Sequence, residues 1–169
     1  MSNAIHDASA VQSILDLKNA LEALPSHSRL SNADTDAIYA LAHQLVVQGR
    51  YETAYRYFSL LTLYKPTNVA YLKGLAVCYR MLERYDEALN VHSFLVTIDP
   101  ENLEHSMAIV ECLLLKREFD EAKQNVELVL QYCKENAASN SKAAERAQAL
   151  MELLSAPAQG LQGAAPAGA

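Results

Sequence analysis

The sequence predicts an all-α chain of stacked helix–turn–helix units, on three observations. Alanine recurs at Ala54, Ala88 and Ala122, each 34 residues from the last. An aromatic residue stands three places before each of them, at Tyr51, Tyr85 and Phe119. Pro66 and Pro100 end the first two units at the same interval of 34. β-Branched residues are scattered and never alternate over a useful stretch, so strands are not expected.

In chain order, residues 1–34 hold an amphipathic helix over 10–24, with Val11, Ile14, Leu17, Leu21 and Leu24 on one stripe, and then a polar connector. Pro25 ends that helix. Its apolar face needs a cover, either the chain's own repeats or a second subunit, so these five residues are the candidate dimerisation surface. Residues 35–136 form three repeats, 35–68, 69–102 and 103–136. A 34-residue period of helical hairpins is that of the tetratricopeptide repeat. Each first helix carries a core stripe: Ile38, Leu41, Ala42 and Leu45; Leu72, Leu75, Ala76 and Tyr79; Ile109, Val110 and Leu113, with Ser106 in the first slot. Gly49 marks a helix end that requires positive φ, and the later repeats lack that glycine.

Second helices open with acids, Glu52, Asp86–Glu87 and Asp120–Glu121, which suit the positive end of the helix dipole. Phe58 and Leu61, His92 and Leu95, and Val126 and Val129 are their buried stripes. Lys134 replaces the third proline, which lets the last helix run on. Within 137–155 a capping helix over 143–154 is expected, with Ala147, Leu150, Met151 and Leu154 inward and Asn140 or Ser141 at its start. Residues 156–169 are alanine, glycine, proline and glutamine with little else, a composition that cannot bury enough surface to order itself.

The formal charge of −6 disfavours nucleic acid and anionic membrane as partners. There is no apolar run of eighteen residues and no signal-peptide pattern at residues 1–7, so a cytoplasmic location is expected. Three cysteines without CxxC spacing read as free thiols, buried as small hydrophobes. The five histidines are dispersed, with no metal-ligand spacing, no glycine-rich phosphate loop and no GxSxG, so neither an enzyme nor a cofactor is expected.

Repeat arrays of this kind bind other polypeptides along the face lined by their first helices. Opposite the core stripes that face holds Tyr39, His43, Val46 and Val47; Lys73, Val77, Arg80 and Met81; and Met107, Glu111, Leu114 and Leu115. The set is more apolar than a solvated helix face, which marks a partner site, although the terminal helices compete to cover part of it. Methionines let such a groove accept varied side chains, and Tyr39 offers a rigid ring to proline.

The runs Ile38-Tyr39-Ala40-Leu41-Ala42 and Gly49-Arg50-Tyr51-Glu52-Thr53-Ala54 resemble the first repeat of the class II chaperones of bacterial type III secretion, the SycD/LcrH kind. Residues 73–80 (KGLAVCYR) resemble the second repeat, and Glu111-Cys112-Leu113-Leu114-Leu115-Lys116 with Phe119-Asp120-Glu121-Ala122 the third. The resemblance covers roughly residues 10–155. It implies a chaperone of the bacterial cytoplasm for hydrophobic translocator proteins, gripping an extended, proline-containing client segment in the groove. It also implies self-association through the N-terminal helix, and it adds Tyr51 to the groove aromatics. His92 stands where that family often has an aromatic, and no site is read from it. Two rival readings remain at this level: a chaperone of a needle subunit or effector, and a scaffold that clamps a peptide carboxylate with Lys73 and Arg80.

Overall fold

A computed structural model of the chain describes residues 16, 19, 20, 30–136 and 141–155. Of the N-terminal segment, Asp16, Asn19 and Ala20 are helical. Val11, Ile14, Leu17, Leu21 and Leu24 lie outside the described residues, as do Asn140, the side chain of Ser141 and the 156–169 tail. Seven helices follow one another: α1 (Asn32–Val47), α2 (Tyr51–Tyr64), α3 (Val69–Met81), α4 (Tyr85–Ile98), α5 (Leu103–Lys116), α6 (Phe119–Glu135) and α7 (Ser141–Ser155). Each packs on the next, and the described residues contain no strand. The expected three hairpins and cap are present, and α6 runs through Lys134.

Local chemistry sets the boundaries. Ser31 and Asp34 form a reciprocal cap at the start of α1: the Asp34 amide donates to Ser31 Oγ (3.2 Å), and the Ser31 amide donates to Asp34 Oδ2 (3.0 Å). Asn68 and Asn102, one repeat apart, cap α3 and α5 by accepting from the amides of Tyr71 (3.2 Å) and Glu104 (3.3 Å). The tight turn inside each hairpin puts one residue in the left-handed region: Gly49 (φ 73°), Glu83 (φ 60°) and Arg117 (φ 64°). The later turns therefore keep the first turn's backbone without its glycine.

Ala54, Ala88 and Ala122 are fully buried where paired helices meet closely, as the spacing predicts. The stripes of the second helices, Phe58 and Leu61, His92 and Leu95, and Val126 and Val129, are buried too. The core falls into two clusters. One gathers Ala42, Leu45, Ala54, Phe58, Leu61, Tyr71, Leu75 and Cys78. The other gathers Met107, Val110, Leu113, Val126 and Val129 with Ala143 and Ala147 of α7. Leu150, Met151 and Leu154 of α7 pack against the second cluster as expected.

Two stripe positions differ from expectation. Leu41 is 42% exposed. Its equivalent one repeat on, Leu75, is buried because α3 has α2 beside it, whereas among the described residues nothing packs on that side of α1. Phe119 is exposed, while its equivalents Tyr51 and Tyr85 are half-buried.

Candidate functional site

The first helices line one face, and where α1 meets α3 they leave an open cavity of about 460 Å³. Tyr39, His43 and Val46 of α1 form one wall, and Val69, Ala70, Lys73, Gly74 and Val77 of α3 the other. Phe58 of α2 is the floor. The lining is apolar except at the rim, where His43 and Lys73 are exposed.

Aromatic packing and one close helix approach shape the walls. Tyr39 packs edge-on to Phe58 (ring centroids 6.1 Å apart) and against Tyr71 (5.5 Å), which is buried. Gly74 lets α3 approach the Phe58 ring: a Cβ there would overlap that buried ring unless the ring shifted. On the other flank of the same hairpin pair, the Arg84 guanidinium lies 5.3 Å from the Tyr55 ring centre and 4.8 Å from that of Tyr79, and pairs with Glu87 at 2.7 Å.

Of the thirteen residues expected on the groove, the cavity unites five: Tyr39, His43, Val46, Lys73 and Val77. Val47 (75% exposed) and Met81 (46%) stand instead on an exposed ridge at the ends of the first helices, with Leu115 at the third equivalent position. Tyr51 sits half-buried at the start of α2 and does not line the cavity. Met107 is a correction: it is fully buried, because α7 closes over α5 and takes Met107 into a cluster with Ala143 and Ala147. Leu114 also packs against that cluster.

Arg80 and Glu111 are partnered within the chain. Arg80 Nη1 donates to Glu111 Oε2 (2.9 Å), and Arg146 of α7 donates to Glu111 Oε1 (2.7 Å) and to Glu104 Oε2 (3.1 Å). This network ties α3, α5 and α7 together, and in it Arg80, which one rival reading paired with Lys73 to clamp a peptide carboxylate, is already paired with Glu111. Phe58 and Gly74 were missed as cavity residues. A lone glycine in the middle of a helical pattern is the available signal for such a close approach.

The reactive groups are quiet. Burial pushes the Cys78 thiol up to about 11 and raises Cys112 and Cys133 as well; all three are buried and free. His92, one repeat after Phe58, is held down to about 4 by burial and then by His105, Arg80 and Lys73 nearby. Hydrogen bonds from Asn102 and His105 hold Asp99 below its usual value. Among the described residues no group of histidines, cysteines and carboxylates is placed to hold a metal ion, and no helix is long and apolar enough to cross a membrane.

Fold and cavity together define a tetratricopeptide-repeat solenoid with a peptide-sized opening on its first-helix face. The tetratricopeptide repeat family model matches residues 35–68 and 69–102. Among solved structures, the chain is similar to the Yersinia enterocolitica type III secretion chaperone SycD in complex with a peptide of the translocator YopD (24% identity, 75% of this chain and 96% of that one, TM-score 0.65). It is similar to PcrH from Pseudomonas aeruginosa (25% identity, 75% and 96%, TM-score 0.63), which has also been solved with the chaperone binding regions of PopD and PopB. A type III secretion complex from Aeromonas hydrophila aligns over 86% of this chain and 95% of that one (19% identity, TM-score 0.67). At these identities the likeness establishes the fold. No curated protein sequence matches the chain.

Proposed function

We propose that this chain is a cytoplasmic chaperone of bacterial type III secretion, which holds an extended, proline-containing segment of a hydrophobic translocator on its first-helix face. The observation that carries this reading is the α1–α3 cavity: apolar, open, walled by packed aromatics and floored by an aromatic ring. Support comes from the shared fold of SycD and PcrH, which bind translocator segments. The role is binding, not bond chemistry, in keeping with buried, protonated thiols and a histidine held neutral. The stripe Val11, Ile14, Leu17, Leu21 and Leu24 is the proposed surface for pairing two copies.

A translocator carries membrane-seeking segments that aggregate in water. Holding part of it in a groove orders backbone at about 1–2 kcal/mol per residue, and polyproline-like segments lose less because they are already stiff. A short peptide is therefore expected to bind at about micromolar strength, near −8 kcal/mol. The test is co-expression with a hydrophobic translocator of the same cell. Wild type is expected to keep it in solution and co-purify with it, and the Tyr39→Glu/Val77→Glu variant to lose it with helix content unchanged. Retained co-purification with that double variant moves the site elsewhere.

A further inference from the structure

A second open cavity, of about 360 Å³, lies on the second-helix side of the third repeat and shares no residue with the first. Val96 and Pro100 line it at the end of α4, Ser106 and Ile109 on α5, and Leu128 and Tyr132 on α6. The repeat register shows why a groove opens there. Ser106 stands where the second repeat has buried Leu72, and Leu128 where it has Phe94, so both exchanges remove side-chain volume. Asn125, also in the lining, replaces Val91. The last helix does not refill the space, because α7 settles on the Met107 side of α5, and Leu128 is left 64% exposed. The charges beside the groove are acidic. Glu121 stands one turn before Asn125 on the same face of α6, and Glu135 lies three residues beyond Tyr132. Glu101 follows Pro100; it and Glu121 are exposed and have no ion-pair partner among the described residues. The lysines of α6 are turned away: Lys134 lies against α7, and Lys123, three turns earlier, shares its face.

We propose that this groove docks a segment of a partner polypeptide that presents one large apolar side chain, leucine or phenylalanine, between lysines or arginines. The inference does not depend on what occupies the α1–α3 cavity. A volume of this size is at the low end for a binding site, so it takes one side chain rather than a run of them. Val96, Ile109, Leu128 and Tyr132 cover that side chain with apolar surface. Charge decides its neighbours. Successive helices α5 and α6 run antiparallel, so Glu101, just before α5, lies toward the Glu135 end of α6, and Glu121 lies toward the other end. The two ends of that α6 face are about 21 Å apart at the helical rise. An extended chain centred on the groove covers about 10 Å in three residues to either side. Cations two or three places from the apolar residue therefore meet an acid at each end, whereas carboxylates there are repelled. The groove thus selects a basic-flanked anchor, rather than apolar character alone.

The test uses short alanine–serine peptides with a central phenylalanine and lysines two and three residues to either side, titrated by fluorescence anisotropy. The controls carry glutamate for lysine, or alanine for phenylalanine. Wild type is expected to bind the lysine–phenylalanine peptide at least about tenfold more tightly than either control. Ser106→Leu, which restores the side chain of the second repeat, is expected to fill the groove and remove the preference for phenylalanine. Glu101→Gln/Glu121→Gln, at two exposed positions, is expected to keep that preference and lessen the one for lysine. Tyr39→Glu/Val77→Glu is expected to bind as wild type does, which separates this groove from the α1–α3 cavity. Circular dichroism checks folding, and if Ser106→Leu does not fold, the glutamine variant decides alone. No binding by wild type, equal binding of the lysine and glutamate peptides, a phenylalanine preference that survives in folded Ser106→Leu, or loss of binding in Tyr39→Glu/Val77→Glu overturns the proposal. A wild-type dimer that Ser106→Leu dissociates in light scattering also overturns it, because a second copy then fills the groove. The chaperone reading stands in each of these cases.

Discussion

The two ends of the repeat array use the same register for opposite purposes. Lys73 and Met107 are equivalent positions, one repeat apart. Lys73 stands exposed at the rim of a 460 Å³ cavity; Met107 is fully buried. The difference lies in the helix that comes after the third repeat. There α7 presents Ala143 and Ala147, small enough to let it settle onto α5 and α6, while Arg146 fastens it to Glu104 and Glu111. A repeat thus supplies a position, and the next helix decides whether it is surface or core. Between the two ends the buried apolar residues fall into two clusters.

Several substitutions probe this contrast. The largest effect is at the closed end: Met107→Ala should cost about 2–5 kcal/mol of unfolding free energy by urea denaturation. Lys73→Ala, at the equivalent exposed position, should cost no more than about 0.5 kcal/mol. Similar costs at both sites would mean that α7 does not hold Met107 in the core.

Next in size is a pH effect at the divide. The folded-state value of His92, about 4, lies below the ordinary 6.5. Between these values the unfolded chain binds the proton and the folded chain does not, so stability falls as the pH drops from 6.5 towards 4 and is flat above. From pH 7 to pH 5 the loss should be on the order of 2 kcal/mol, and it should be absent in His92→Phe measured alongside. An equal loss in that variant would assign the pH dependence to other groups.

At the open end, Gly74→Ala sets steric overlap with Phe58, up to about 3 kcal/mol, against a helix-propensity gain of about 1 kcal/mol. A net destabilisation of about 1–2 kcal/mol is expected, with weaker peptide binding as the ring is displaced. A stabilised variant would show that Phe58 is free to swing aside. The smallest effect is in the turns. Glu83→Gly and Arg117→Gly should each stabilise by up to about 1 kcal/mol by relieving left-handed backbone at a non-glycine residue, while Gly49→Ala should destabilise by a similar amount. Melting temperatures of the three variants check the signs.

The legible part of the fold was the part set by close contact. Ala54, Ala88 and Ala122 announce helix crossings because nothing larger fits, and all three are buried. Five cavity residues were readable from helical periodicity: Tyr39, His43, Val46, Lys73 and Val77 lie opposite the core stripe of their helices. Helical periodicity is blind to neighbours that come later or are missing, so it placed Met107 on the surface and Leu41 in the core. It assigns a face, not a partner, so it gave no sign that Arg80 and Glu111 pair with each other. Left-handed turns at Glu83 and Arg117 carry no glycine to betray them; the packing of the hairpin imposes that backbone. His92 was read as one more stripe residue, and its unpartnered nitrogen becomes visible only once its surroundings are in place.

The proposed function stands or falls with the gap between α1 and α3 receiving a foreign extended chain. Methyl NMR during titration with a proline-rich peptide reports on that gap, because Val46 and Val77 face each other across it while Leu60 and Leu128 lie exposed on the second helices. Saturable shifts are expected at Val46 and Val77, with Leu60 and Leu128 unmoved. Shifts confined to Leu60 and Leu128, or none at Val46 and Val77, would show that the chain is held elsewhere or not at all.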